Sequence, residues 1–133
     1  MVAGEEELLG RQAPHSLEAE QSVLGAMLID SRCVADVIGL LKPEDFYLQQ
    51  NREIYETIYA MFNFSQVIDP VTVLDKMQER GVWQDRSIEY IKQLMEITPT
   101  SANAVRYASI VRDKALLRSL ATAASEISET VYE

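Results

Sequence analysis

The side chains of this chain that could do chemistry are few. It has one histidine, His15, and one cysteine, Cys33. Neither a His-rich zinc site nor a Cys-His nucleophile pair has its parts close together in the sequence. His15 stands in Pro14-His15-Ser16, where an exposed residue flanking a helix start is expected, and Cys33 reads as a small buried hydrophobe. The carboxylate pairs Glu18 with Glu20 and Glu44 with Asp45 have the chemistry for acid-base work, but helix first turns favour acids for dipole reasons alone. Gly4, Gly10, Gly25, Gly39 and Gly81 stand apart and none precedes a lysine, so neither a phosphate loop nor a dinucleotide fingerprint is present. The cations Arg106, Arg112, Lys114 and Arg118 would make a nucleic-acid stripe, as in a helix-turn-helix module. Asp113 interrupts them, and a solvated helix face is the preferred reading. No catalytic, cofactor-binding or metal-binding residue is expected, and this chain by itself is not expected to be an enzyme.

Composition points to a protein-binding module. A chain of 133 residues with 47% hydrophobic and 25% charged side chains forms one ordinary globular domain. Five glycines and four prolines are thin punctuation for a many-stranded protein but enough to separate a handful of helices. Twelve basic against 21 acidic side chains give a formal charge of -9, which disfavours a broad phosphate-binding surface and direct DNA binding. The whole imbalance lies in residues 1–100, which hold 8 basic and 17 acidic side chains against 4 of each in 101–133. A single cysteine, a start without a basic or apolar signal segment, and no apolar run near the ~20 residues needed to cross a bilayer imply a cytoplasmic protein with no membrane role.

The elements that position these residues follow from caps and spacing. Residues 1–14, up to Pro14, read as a flexible leader. Ser16 caps a first helix over Leu17–Ile29, with Leu17, Leu24, Met27 and Leu28 inward and Glu18 on the exposed side. After Asp30-Ser31, Val34, Val37, Ile38 and Leu41 mark a short second helix that stops at Lys42-Pro43. Pro43-Glu44-Asp45 reads as a helical first turn, followed by Phe46 and Tyr47 in the core. A third helix, 49–64, turns Ile54, Ile58, Met61 and Phe62 inward. Asp69-Pro70 starts the fourth, with Val71, Leu74 and Met77 inward and Gly81 as its left-handed cap. A loop containing Trp83 leads to a fifth helix with Ile88, Ile91, Leu94 and Met95 inward and Tyr90 off that stripe. From about Ser101 to Glu133 no Gly or Pro interrupts one helix of about 32 residues, roughly 48 Å long. Along it Ile110, Leu117, Ala124 and Val131 recur every seven residues, with Leu120 and Ile127 between them, a heptad-like seam suited to self-association. The expected fold is all-α: a compact multi-helix head over 15–100 and a long helix over 101–133.

Several segments in order resemble one family. Pro14-His-Ser-Leu-Glu-Ala-Glu-Gln-Ser-Val-Leu-Gly25, Pro43-Glu-Asp-Phe-Tyr47, Asp69-Pro-Val-Thr72, Thr98-Pro-Thr-Ser-Ala-Asn103, Tyr107-Ala-Ser-Ile-Val-Arg112 and Lys114-Ala-Leu-Leu-Arg118 are similar to the N-terminal domain of DnaB-family replicative helicases. The resemblance covers about residues 12–133. Where that family commonly has a Gly-Gly turn before the fifth helix, this chain has Arg86-Ser87. The resemblance implies a non-catalytic collar domain in DNA replication, whose long helix is the first arm of a dimerisation hairpin. It implies assembly as a dimer and as a trimer of dimers in the whole helicase. It further implies docking of the primase C-terminal domain in the primosome, engagement of loader proteins in some bacteria, and an ATP- and Mg-dependent motor domain outside this chain. Glu18, exposed on the first helix, and Tyr90, an aromatic ring with a polar tip, are the expected primase contacts. A free-standing helical adaptor that regulates replication is the main alternative.

Overall fold

The computed structural model describes residues 13–82 and 85–133. Most of the leader expected over 1–14, and Trp83, lie outside the described residues. Ser16 accepts a hydrogen bond from the Ala19 amide and opens α1 (Leu17–Ile29). A 3₁₀ turn (Ser31–Cys33) precedes the short α2 (Val34–Ile38), and a second one (Pro43–Asp45) precedes α3 (Gln49–Asn63). Asp69 and Thr72 exchange hydrogen bonds as a capping box at the start of α4 (Pro70–Glu79), and Gly81 takes the left-handed conformation after it, φ 76°. α5 (Ser87–Glu96) and α6 (Ala104–Tyr132) complete six α-helices, with no strand among the described residues.

α1 is the central element. Its contacts with α6 are the most extensive in the fold, and it also packs on α5 and α3. Burial accordingly runs around most of its circumference, from Ala19 through Leu28, and takes in Glu20 and Ser22. Leu17, expected inward, is instead exposed, because it lies in the first turn before α1 enters the core. The core closes with Val34, Val37, Leu41, Phe46, Ile54, Tyr55, Ile58, Met61, Val73, Met77, Ile91 and Leu94. Tyr55 donates its hydroxyl proton to the Leu41 carbonyl at 2.8 Å, satisfying a backbone acceptor just past the end of α2, and burial holds its phenol above the ordinary pKa.

Spacing misplaces several apolar side chains. Tyr47, Phe62, Val71 and Ile88, expected inward, are exposed. On α4 the buried pair is Val73 with Met77, one turn apart, with Leu74 half-buried. The long helix begins at Ala104, three residues after the expected Ser101. The Ser101 hydroxyl donates to the Asp30 carboxylate at 2.9 Å and its carbonyl accepts from the Ala104 amide, so 101–103 form the turn that aims α6 along α1. Arg32 and then Ser101 hold the Asp30 carboxyl below the usual carboxylate range.

Candidate interaction surface

α6 has two apolar sides. Ala104, Ala108, Val111 and Ala115 are buried on the side facing the core, and these small side chains let the helix lie close to α1. At 100° per residue, Leu116, Ile127, Leu120, Val131, Ala124, Leu117 and Ile110 fall in a sector of about 120° on the opposite side. Ile110 is half-buried and the rest are exposed: 58% for Leu120, 66% for Ile127 and 72% for Val131. Every side chain of the expected seam lies in this sector. Leu116 joins them and was missed, because heptad counting from Ile110 samples only part of so wide a face. The side they form is exposed and largely apolar, with Asp113 also exposed near its middle.

The inner side of α6 is pinned where the core ends. Arg118 donates from Nη1 to the Pro14 carbonyl at 2.8 Å and from Nη2 to the Asp45 carbonyl at 2.6 Å. Its guanidinium carbon lies 5.5 Å from the centroid of the Tyr47 ring, which stacks on His15 with centroids 4.2 Å apart and planes 9° apart. His15 is therefore half-buried within this clamp and is not the free flank expected. Its Nδ1 lies 2.6 Å from the Ala13 carbonyl oxygen. Arg118 is thus committed to backbone carbonyls. Arg106, Arg112 and Lys114 spread over about 200° of the helix and form no common stripe for a phosphate backbone. Beyond Arg118, the described side chains of α6 are exposed except Ser125.

The two head candidates differ in setting. Glu18 is exposed on α1. Tyr90 is half-buried against the core; its hydroxyl donates to Asn51 Oδ1 and accepts from Gln21 Nε2 at 3.4 Å, and burial raises its pKa above the ordinary value. Behind it Asn51 Nδ2 donates to Glu20 Oε1 at 3.0 Å. Glu20 also accepts from the amides of Tyr47 at 2.7 Å and Leu48 at 3.3 Å, so this buried carboxylate caps α3 from another helix. It is a first-turn acid of α1, as expected, but its hydrogen-bond partners lie at the start of α3. The sequence holds one signal of this: Leu48 sits at the N-cap of α3 and has no capping side chain, so the cap has to come from elsewhere.

Cys33 donates to the Asp30 carbonyl, and burial raises its thiol pKa, which disfavours the reactive thiolate. Among the described residues no group of three or more His, Cys, Asp or Glu side chains could hold a metal ion. No described helix is long and apolar enough to cross a membrane.

Comparison with known proteins agrees with this geometry. Residues 12–113 match the family model described as DnaB-like helicase N terminal domain. The chain is 37% identical over 98% of its length to the replicative DNA helicase DnaB of Leifsonia xyli, and spans 29% of that protein. It superposes on the crystal structure of the N-terminal domain of DnaB helicase from Mycobacterium tuberculosis with a TM-score of 0.85 and 40% identity, covering 92% of this chain and 89% of that one. The N-terminal domain of the Helicobacter pylori helicase, described together with its interactions with primase, shares the fold at a TM-score of 0.73 and 21% identity, covering 86% and 90%. With most of its length matched by one family model and its helices laid out as in a solved member, the chain belongs to the family of DnaB-like helicase N-terminal domains.

Proposed function

We propose that the chain is the non-catalytic collar module of a cytoplasmic replicative helicase. It pairs with further copies through the outer side of α6, three pairs completing a ring, and its head docks primase and, in some bacteria, a loader. Residues 15–100 supply that head and 101–133 the first arm of a helical hairpin. Nucleotide hydrolysis with ATP and Mg belongs to a motor domain outside this chain. The observation that carries the reading is the exposed apolar sector of α6 from Ile110 to Val131. Light scattering on this chain is expected to find dimers at micromolar concentration. Leu117→Glu with Leu120→Glu would bury two unpaired carboxylates in the seam, weakening the dimer at least ~100-fold without loss of helical signal. A monomer at high micromolar concentration before mutation defeats the reading.

Primase docking rests on the relative described with primase and on the acidic surface of residues 1–100, which suits a basic partner face. Titration calorimetry with the primase C-terminal domain is expected to show binding weakened about 3- to 10-fold by Glu18→Arg. Tyr90→Phe, which keeps the ring and removes the hydroxyl, tests the aromatic candidate with least damage to the core. Unchanged affinity in both variants, once their circular dichroism matches the parent, takes the Glu18 carboxylate and the Tyr90 hydroxyl out of the interface, and Tyr90→Ala, which loses the ring, tests the ring itself.

A further inference from the structure

Ser125 is buried where the head no longer reaches. Burial on the core-facing side of α6 begins at Ala104 and stops at Ala115. Ser125 stands ten residues further, about 15 Å along the axis, and is 8% exposed. The cover over it is narrow, because Thr122, Ala124, Glu126 and Glu129 are all exposed. At 100° per residue Arg118, Thr122, Ser125 and Glu129 fall within about 60° of one another, and they continue the core-facing side past the end of the core. About 60° separates them from the outer apolar sector. Thr122 and Ser125 are small, so a passing segment of chain can lie close to the helix here, as α1 does at the alanines.

The Arg118 clamp supplies the segment. Arg118 donates to the Pro14 carbonyl and His15 stacks on Tyr47, so the chain enters the head at this point of α6. Ser125 lies seven residues past Arg118, about 10 Å along the axis. Leu9 and Leu8 stand five and six residues before Pro14 and are the nearest large apolar side chains of the leader. At up to ~3.3–3.6 Å per residue they reach about 16–20 Å from the clamp. Residues 83 and 84 belong between α4 and α5, whereas the elements with extensive contacts to α6 are α1, α2 and the second 3₁₀ turn. We propose that the leader continues from the clamp along α6 and that Leu8 and Leu9 cover Ser125. It is a strap that prolongs the hold of the head on the long helix by two turns and leaves the outer apolar sector open.

Thiol labelling of the full chain tests the cover. In a Cys33→Ser background, which keeps a donor for the Asp30 carbonyl, Ser125→Cys places a thiol of nearly the same size under the strap. Ala123→Cys places one at an exposed position two residues away. Each rate of reaction with a small aromatic disulfide is divided by its rate in denaturant. Ser125→Cys is expected to react at least tenfold more slowly than Ala123→Cys, equally at low and high micromolar protein. Leu8→Ser with Leu9→Ser, or removal of residues 2–11, is expected to bring the two rates within about twofold by speeding Ser125→Cys alone. Amide exchange in the chain without added cysteines gives an independent reading: removing residues 2–11 is expected to speed exchange over 121–129 at least tenfold and to leave 104–111 unchanged. Fast labelling of Ser125→Cys in the intact chain, or slow labelling that persists in both leader variants, overturns the strap. So does slow labelling that is lost on dilution, which assigns the cover to a second copy, and so does equal exchange over 121–129 with and without the leader.

Discussion

Replacing Glu20 with alanine is expected to cost about 3–5 kcal/mol of unfolding free energy and to lower the thermal midpoint by roughly 12–20 °C. Glu20 is 1% exposed, and its carboxylate receives the Tyr47 and Leu48 amides and the Asn51 side chain. Alanine leaves the buried Asn51 amide and the two part-buried backbone amides without their acceptor, and it opens a cavity beside α1. The loss spreads outward from there. Tyr90 donates to Asn51, and Arg118 rests over the Tyr47 ring, so the start of α3 is shared by α1, α5 and α6 through this one carboxylate. Glu20→Gln is not a silent control: two of the three donors converge on Oε1 and the third on Oε2, so the new amide nitrogen points a donor at a donor whichever way it is turned. Chemical denaturation measures the loss, and amide exchange at Tyr47 and Leu48 locates it. A Glu20→Ala variant within 1 kcal/mol of the parent, or one with both amides still protected, shows that the cap is dispensable.

Which helices form is legible in the sequence, because those signals are local. Ser16, the pair Asp69 and Pro70, and Gly81 act within one turn of their own positions, and each does in the structure what its type predicts. Which side of a helix is buried is less legible, because it depends on neighbours that spacing does not name. Val71 with Leu74 and Val73 with Met77 are both helical spacings on α4, and the positions of α3 and α5 select the second. α1 is enclosed by α3, α5 and α6, so no single stripe describes it and Leu17 is misplaced at its edge. Glu20 is invisible to local reasoning for the same cause: a first-turn acid on α1 and a cap for α3 look identical until the two helices meet.

The outer side of α6 is the opposite case. Apart from Ile110, which packs against the core, these side chains are exposed, so the apolar periodicity read from Leu117 to Val131 reappears on the surface. Its inner side was harder to anticipate. Alanines at 104, 108 and 115 look like helix-forming filler, yet they are the contact that joins the long helix to the core. The side of α6 toward α1 is mostly alanine, with Val111, while the leucines and Ile127 lie on the outer side.

Gly25→Ala is expected to destabilise the domain by at least ~2 kcal/mol, although alanine is the better helix former. Gly25 lies in the middle of α1, where glycine costs about 1 kcal/mol relative to alanine in helix propensity. A Cβ there would fall 2.1 Å from Thr98 Oγ1 and 2.4 Å from the Leu94 carbonyl oxygen, so the side of α1 that meets α5 has no space for a methyl group. Turning the Thr98 hydroxyl away would relieve one overlap and break its 2.8 Å hydrogen bond to Leu94. The Thr98 Cβ, at 2.9 Å, and the Leu94 carbonyl oxygen remain, and no rotamer change relieves either, so α1 and α5 have to separate along buried Ile91 and Leu94. Such overpacking costs at or above the upper end of about 1–3 kcal/mol, which outweighs the gain in propensity. The thermal midpoint should fall by roughly 6–10 °C. Thr98→Ala added to Gly25→Ala is expected to restore only part of the loss, because the Leu94 carbonyl still obstructs. Equal or greater stability in Gly25→Ala would show that propensity governs this position and that α1 and α5 approach less closely than the geometry requires. Complete restoration by Thr98→Ala would place the whole conflict in the threonine side chain.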